Sequence, residues 1–250
     1  MTGLRETWAA GGETLGGWLS IPSSVSAEAT ARQGFTYVCV DAQHGVVDYQ
    51  AAFSMIQGIE LGGSVPIVRV PWNEPGIIGK MLDAGAHGVI VPMVNTRSEA
   101  EAVVSACRYA PVGSRSYGPT VAGPRHADYV AWASTSIAVI PMIETVEALG
   151  NLDEILSVPG IDAIYVGPAD LSLSLGLAPS GNDGTPAFDD ALTAIVAACG
   201  RHGVVPGIHA SGALAARRRS QGFRMITVAM DLPAMRSGMA TELAIGRATS

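Results

Sequence analysis

A closed (β/α)8 barrel is the fold predicted here, and three observations predict it. Short β-branched apolar runs alternate with helical patterns along the whole chain of 250 residues. The strand runs are continuously apolar rather than alternating, as expected of parallel strands covered on both faces. No linker or composition break divides the chain, and 48% hydrophobic residues suffice to fill one large core. Residues 1–250 are therefore expected to form one α/β domain.

Gly16 to Ile21 reads as the first strand and Ser24 to Gln33 as the first helix, with Ser23 or Ser24 as N-cap and Gly34 as the stop. Phe35 to Val40 follows as a strand, then Tyr49 to Leu61 as a helix. Val65 to Val70, His87 to Met93, Ile137 to Ile143, Asp162 to Val166, Val204 to Ile208 and Arg224 to Ala229 supply the other strands. Helices are expected at Pro75 to Ala84, Ser98 to Tyr109, Val146 to Ser157, Phe188 to His202, Gly212 to Gln221 and Pro233 to Arg247. Eight strands and eight helices match a TIM barrel rather than an open sheet. Two loops rich in Gly, Pro and Ser interrupt the rhythm, Ala110 to Arg125 and Gly167 to Ala187. The second follows a strand, so it lies on the catalytic face of a barrel and is a candidate lid.

A net charge of −7 argues against nucleic acid, because phosphate binding depends on clustered Lys and Arg. The triplet Arg217-Arg218-Arg219 reads as a solvated helix face and is too short for a polybasic membrane signal. Cys39, Cys107 and Cys199 have no metal-type spacing and suit a reducing compartment. With neither a leader pattern nor an apolar stretch of membrane-span length, a soluble cytoplasmic protein is expected.

Seven polar residues fall just after strands, where a barrel carries its chemistry: Asp41, His44, Arg69, Glu144, Asp170, His209 and Asp231. Glu144 and Asp170 end adjacent strands, so their carboxylates can share one ion. An oxygen-rich site without cysteine suits Mg²⁺ or Mn²⁺; the same two acids can instead form an acid/base pair, as in glycosidases. His44 lies in Asp41-Ala42-Gln43-His44-Gly45, where an imidazole can move protons at neutral pH. Arg69 ends the apolar run Pro66-Ile67-Val68 and needs an anionic partner, either a substrate oxygen or a structural carboxylate. Asp41 and Asp231 read about equally well as site residues and as helix caps or loop braces. His202 reads as a helix C-terminal cap, His87 as structural, and His126 has no assigned place.

Lys80 is the chain's one lysine, and it falls inside a helix between Ile78 and Met81, away from any strand end. Schiff-base chemistry needs a lysine at the substrate, so carbonyl chemistry here requires a metal as electron sink.

The assembled strand ends resemble those of the HpcH/HpaI family of metal-dependent pyruvate aldolases over nearly the whole chain. The motifs carrying the resemblance are Gly17-Trp18-Leu19, Asp41-Ala42-Gln43-His44-Gly45, Val68-Arg69-Val70-Pro71-Trp72-Asn73, Val91-Pro92-Met93-Val94, Arg108-Tyr109-Ala110-Pro111-Val112-Gly113, Ile143-Glu144-Thr145 and Gly167-Pro168-Ala169-Asp170-Leu171-Ser172. The resemblance implies a divalent ion (Mg²⁺, Mn²⁺ or Co²⁺) on Glu144 and Asp170, chelated by pyruvate. It implies His44 as general base, Arg69 as the group stabilising the enolate or aldolate oxygen, and backbone near Ala169 and Asp170 as the carboxylate holder. Trp18 and Met142 fall at substrate-binding positions. Asp83 matches an acid that raises the basicity of the histidine, although it lies at the far end of its own helix. A hexamer built as a trimer of dimers would let a neighbour supply it, and the C-terminal helix is a candidate for exchange between subunits.

Two departures bear on the substrate. Met142 stands where well-known members carry Gln, and Gln43 where some carry Glu. The expected activity is formation or cleavage of 4-hydroxy-2-oxoacids from pyruvate and an aldehyde. Competing expectations are oxaloacetate decarboxylation, which gives the same enolate, a citrate-lyase-type acyl-CoA lyase, and a carboxylate-binding barrel without catalysis.

Overall fold

The computed structural model describes residues 2–248. Eight parallel strands close into a barrel in chain order, β1 (Thr14–Leu19), β2 (Tyr37–Asp41), β3 (Val65–Arg69), β4 (Gly88–Val91), β5 (Ala138–Ile143), β6 (Ala163–Val166), β7 (Val205–His209) and β8 (Met225–Met230). The helices, likewise in chain order, are α1 (Leu4–Ala9), α2 (Ser24–Ala31), α3 (Tyr49–Gly62), α4 (Pro75–Asp83), α5 (Arg97–Cys107), α6 (Tyr129–Ser136), α7 (Val146–Gly150), α8 (Leu152–Leu156), α9 (Pro168–Ser174), α10 (Pro186–His202), α11 (Ala215–Ser220) and α12 (Asp231–Ala248). None of these helices is long and apolar enough to cross a membrane.

The apolar strands serve two cores because successive side chains point to opposite faces. In β2, Tyr37 and Cys39 face the barrel lumen with Ile67, Ile90, Ile140 and Tyr165. Val38 and Val40 face the helices with Ile56, Ile59 and Val68. Closure at the β1–β8 seam runs through a register shift at Gly16/Gly17. A Cβ on Gly16 would sit 2.0 Å from the Tyr37 ring, so glycine is required where that ring crosses β1.

Ser23 is the cap of α2, its side chain accepting from the Ser26 N–H, and Gly34 turns the chain at φ +89°. Three helices, α1, α6 and α9, lie beyond the sequence expectation. In α1, six residues without a side-chain cap bury Leu4 and Trp8 against the lumen core, and the Trp8 indole donates to Thr14 at 3.1 Å. Tertiary packing, not propensity, holds so short a helix. The sequence Tyr129–Ser136 of α6 is rich in weak helix formers, yet Asp128 caps it and Tyr129 and Ala133 are buried. The helix expected over Val146 to Ser157 is divided into α7 and α8 at Gly150-Asn151. The loop expected after β6 begins with α9, started by Pro168 at its first turn.

Candidate active site

At the C-terminal ends of the strands lies a cavity of about 630 Å³, lined by Trp18, Asp41, His44, Arg69, Met142, Tyr165, Gly167, Ala169, Asp170 and His209 among others. The organising group is Asp41. It stands in register with Arg69 on the neighbouring strand, and the two side chains meet through Arg69 Nε to Oδ1 at 2.9 Å and Nη2 to Oδ2 at 2.6 Å. The same carboxylate accepts the Trp18 indole N–H at 3.1 Å and the backbone N–H groups of Gln43 at 3.1 Å and His44 at 3.2 Å. Burial alone would raise the Asp41 carboxyl, but hydrogen bonds and charge from Arg69 hold it below its ordinary value.

Arg69 therefore has a structural carboxylate as its partner, one of the two readings open from sequence. Its guanidinium also lies 5.0 Å from the centroid of the Trp18 ring. The Asp41 fork uses Nε and Nη2, and no hydrogen bond from Nη1 is formed among the described residues. His44 follows on the turn that Asp41 braces, with its side chain exposed at the cavity.

Glu144 follows β5 and is 2% exposed, set behind Gly167 and Met142. Its Oε1 accepts the Met93 N–H at 2.8 Å, and Met93 adopts φ +55°, a costly conformation for a non-glycine residue that turns its amide to this carboxylate. Its Oε2 is buried with no hydrogen-bond partner among the described residues. Burial raises the Glu144 carboxyl to about 7, with the charge of Asp170 adding to the shift. An orphaned and desolvated carboxylate beside a second one fits a hard divalent cation, whose remaining positions water and substrate oxygens would fill. Asp170 lies in the first turn of α9, after Gly167, where a Cβ would come within 2.3 Å of Glu144 Oε2.

Among the other sequence candidates, Ala169 is exposed in that same turn, which has no side-chain cap, and Met142 is buried in the cavity wall in register with Tyr165 on the neighbouring strand β6. Asp83 is not in the cavity of its own chain. It ends α4 and pairs with Arg115 at 2.6 Å. Asp231 braces the β1–α2 connection, accepting from Ser20 and Ile21 backbone, and does not line the cavity. His202 ends α10, as expected from sequence, and also bonds Asp153 at 2.7 Å. His87 and His126 both pack on Trp132, outside the cavity. Lys80 lies 4.1 Å from the Tyr49 ring centroid and is also outside it.

Sequence reasoning left the Asp41–Arg69 fork unassigned, although both residues end neighbouring strands of equal apolar length. It also passed over Gly167, whose role depends on the path of another chain segment and leaves no local pattern.

The family model for HpcH/HpaI aldolase/citrate lyase matches residues 15–237. The chain belongs to that family. It is 41% identical over 250 residues to a hydroxypyruvate/pyruvate aldolase of Rhizorhabdus wittichii, covering 99% of this chain and 100% of that protein. It is 37% identical to a 4-hydroxy-2-oxo-heptane-1,7-dioate aldolase of Salmonella arizonae, covering 94% and 90%. Among solved structures it is similar to an HpcH/HpaI aldolase/citrate lyase family protein from Burkholderia cenocepacia J2315, with a TM-score of 0.90 and 32% identity over the full length of both. The chain is thus an aldolase-type carbon–carbon lyase on the barrel expected from sequence.

Proposed function

We propose that this family member forms or cleaves 4-hydroxy-2-oxoacids through the enolate of pyruvate and an aldehyde, with a divalent cation, Mg²⁺ or Mn²⁺ in preference to Co²⁺, on Glu144 and Asp170. The carrying observation is Glu144 Oε2, buried without a partner beside Asp170. A bound cation supplies Lewis acidity to the 2-oxo group. His44, at the cavity mouth, removes the methyl proton or returns it in the reverse direction. Arg69, fixed by Asp41, presents Nη1 to the oxygen on which charge develops. Backbone in the first turn of α9, at Ala169 and Asp170, holds the substrate carboxylate, and the Trp18 and Met142 side chains shape the wall.

The test is exchange of pyruvate methyl protons in deuterated water by enzyme stripped with a strong chelator, with and without added Mn²⁺. Exchange is expected only with the ion. Full activity in the stripped protein would overturn the reading, and loss of carbon dioxide from oxaloacetate without aldol turnover would replace it by a decarboxylase.

A homo-oligomer, a hexamer built as a trimer of dimers, completes this reading. Support comes from α12, whose Met235, Met239, Leu243 and Ile245 are exposed, and from Asp83, which has no access to the cavity of its own chain. A neighbour's Asp83 would then tune His44, and α12 would pack on, or exchange with, a partner. A fully active monomer in sedimentation sinks both parts. Three buried free cysteines support a reducing, cytoplasmic setting, and the one closed barrel supports a single functional domain.

A further inference from the structure

The cavity holds a histidine that the mechanism above does not use. His209 closes β7 with its ring edge-on to Trp18, centroids 5.0 Å apart, so it shares with Arg69 the platform of one indole. Its Nδ1 lies 3.2 Å from Tyr165 Oη and its Nε2 3.3 Å from Met230 Sδ. Behind Tyr165 a chain of hydroxyls runs into the lumen, from Tyr165 to Thr227 at 2.5 Å and from Thr227 to Tyr37 at 2.9 Å. All three residues are fully buried.

The far end of the ring sets its tautomer. A thioether sulfur carries no hydrogen, so the Nε2 that faces Met230 Sδ is satisfied only as a donor. Tyr165 Oη can then donate to His209 Nδ1, while the Tyr165, Thr227 and Tyr37 hydroxyls bond one another behind it. Nδ1 is thus the acceptor and Nε2 carries the proton. Burial, reinforced by the Arg69 charge, lowers the imidazole to about 4, so the ring is neutral at physiological pH. Its N–H faces a thioether, a weak acceptor on a flexible side chain that can move aside.

We propose that His209 is a specificity-determining residue whose Nε2–H donates to an oxygen on the carbon next to the aldehyde group, favouring 2-hydroxyaldehydes over their methyl analogues. The inference rests on the aldolase reading. Its geometry is a shared cavity: Arg69 and His209 each contact the Trp18 indole and both line the cavity, and His209 Nε2 is covered only by the flexible Met230 side chain.

The test compares kcat/KM for glycolaldehyde and propanal, which differ by a hydroxyl in place of a methyl, with pyruvate as the common donor. Both aldehydes share enolate formation, so damage to that step cancels in the ratio. The ratio is expected to favour glycolaldehyde by about tenfold, to collapse in His209→Leu and to recover in part in His209→Gln, which keeps an N–H donor. An unchanged ratio in His209→Leu overturns the role of His209 alone. Absence of turnover with both aldehydes in the unaltered enzyme overturns the aldolase reading and this one with it. Nitrogen NMR of the unaltered protein, labelled on its five histidines, gives a readout independent of activity. A resonance missing in His209→Gln must report a neutral ring protonated at Nε2; a ring protonated at Nδ1 overturns the proposal.

Discussion

Asp41 and Arg69 face each other in register at the ends of β2 and β3, joined by two hydrogen bonds of 2.9 and 2.6 Å. The same carboxylate holds the backbone N–H of His44, so one side chain positions both the proposed electrostatic stabiliser and the proposed base. Asp41→Asn replaces the charged acceptor by an amide, frees the fork and leaves Arg69 with a largely buried unpaired charge. Loss of about 3–5 kcal/mol of stability is expected from that charge, and at least about a hundredfold in kcat from the lost alignment. Arg69→Lys keeps the charge but cannot form the fork, and should lose activity to a similar degree. Near-normal retro-aldol kcat in Asp41→Asn would show that the brace is dispensable.

Glu144 predicts how metal binding depends on pH. Its carboxyl is raised by burial from the ordinary 4.5 to about 7, so in the metal-free protein the neutral form is favoured by folding. Stability of the metal-free enzyme should therefore be highest below pH 4.5, as far as this group is concerned. It should fall by on the order of 3 kcal/mol as pH rises through about 7, where the buried group ionises. A cation competes for the same oxygen, so Mn²⁺ affinity should weaken about tenfold per pH unit below 7. Calorimetric titrations between pH 5.5 and 8 measure this, roughly spanning the transition. A pH-independent affinity would mean that Glu144 is already ionised without the metal.

The barrel was legible because parallel strands covered on both faces leave long apolar runs, and because Gly34 and Ser23 mark turns by their own chemistry. His44, Arg69, Glu144 and Asp170 were legible for a related reason: each lies at or just beyond the end of such a run. What stayed hidden depends on contacts distant in sequence. Nothing around Asp41 says that Arg69, 28 residues later, will fork onto it. Nothing around His209 says that Tyr165 and Met230 will meet its two ring nitrogens. The short helices α1 and α6 were missed because their stability comes from buried aromatic residues rather than from helix propensity.

Gly167 makes the ion site a matter of backbone clearance. A methyl group there would stand 2.3 Å from Glu144 Oε2 and 2.9 Å from Met142 Cε. Methionine can give way, but Glu144 is held through its other oxygen by the Met93 N–H, so its carboxylate must turn out of place. Gly167→Ala should therefore keep the barrel while displacing one proposed ligand, and Mn²⁺ affinity should fall at least about tenfold. Equal affinity in the variant, measured beside an unchanged far-ultraviolet spectrum, would place the cation elsewhere.

Arg218 and Asp183 tie the outer wall of the cavity to the barrel. Arg218 on α11 is 2% exposed and reaches Asp183 through Nη1 at 2.7 Å and Nη2 at 3.0 Å. Asp183 belongs to the connection between α9 and α10, whose Pro179, Ser180, Gly181 and Asn182 line the cavity. Gln221 accepts a further bond from Nη1, but Nε has no partner among the described residues, so the guanidinium depends on this carboxylate. Asp183→Ala strands the charge and should cost about 3–5 kcal/mol, whereas Asp183→Ala with Arg218→Met removes both charges and should recover much of that loss. The double variant still lacks the tie, so its KM for the aldehyde should stay high while its melting temperature returns. Recovery of both together would mean that the pair serves stability alone, and recovery of neither would mean that the methionine does not fit where the arginine was buried.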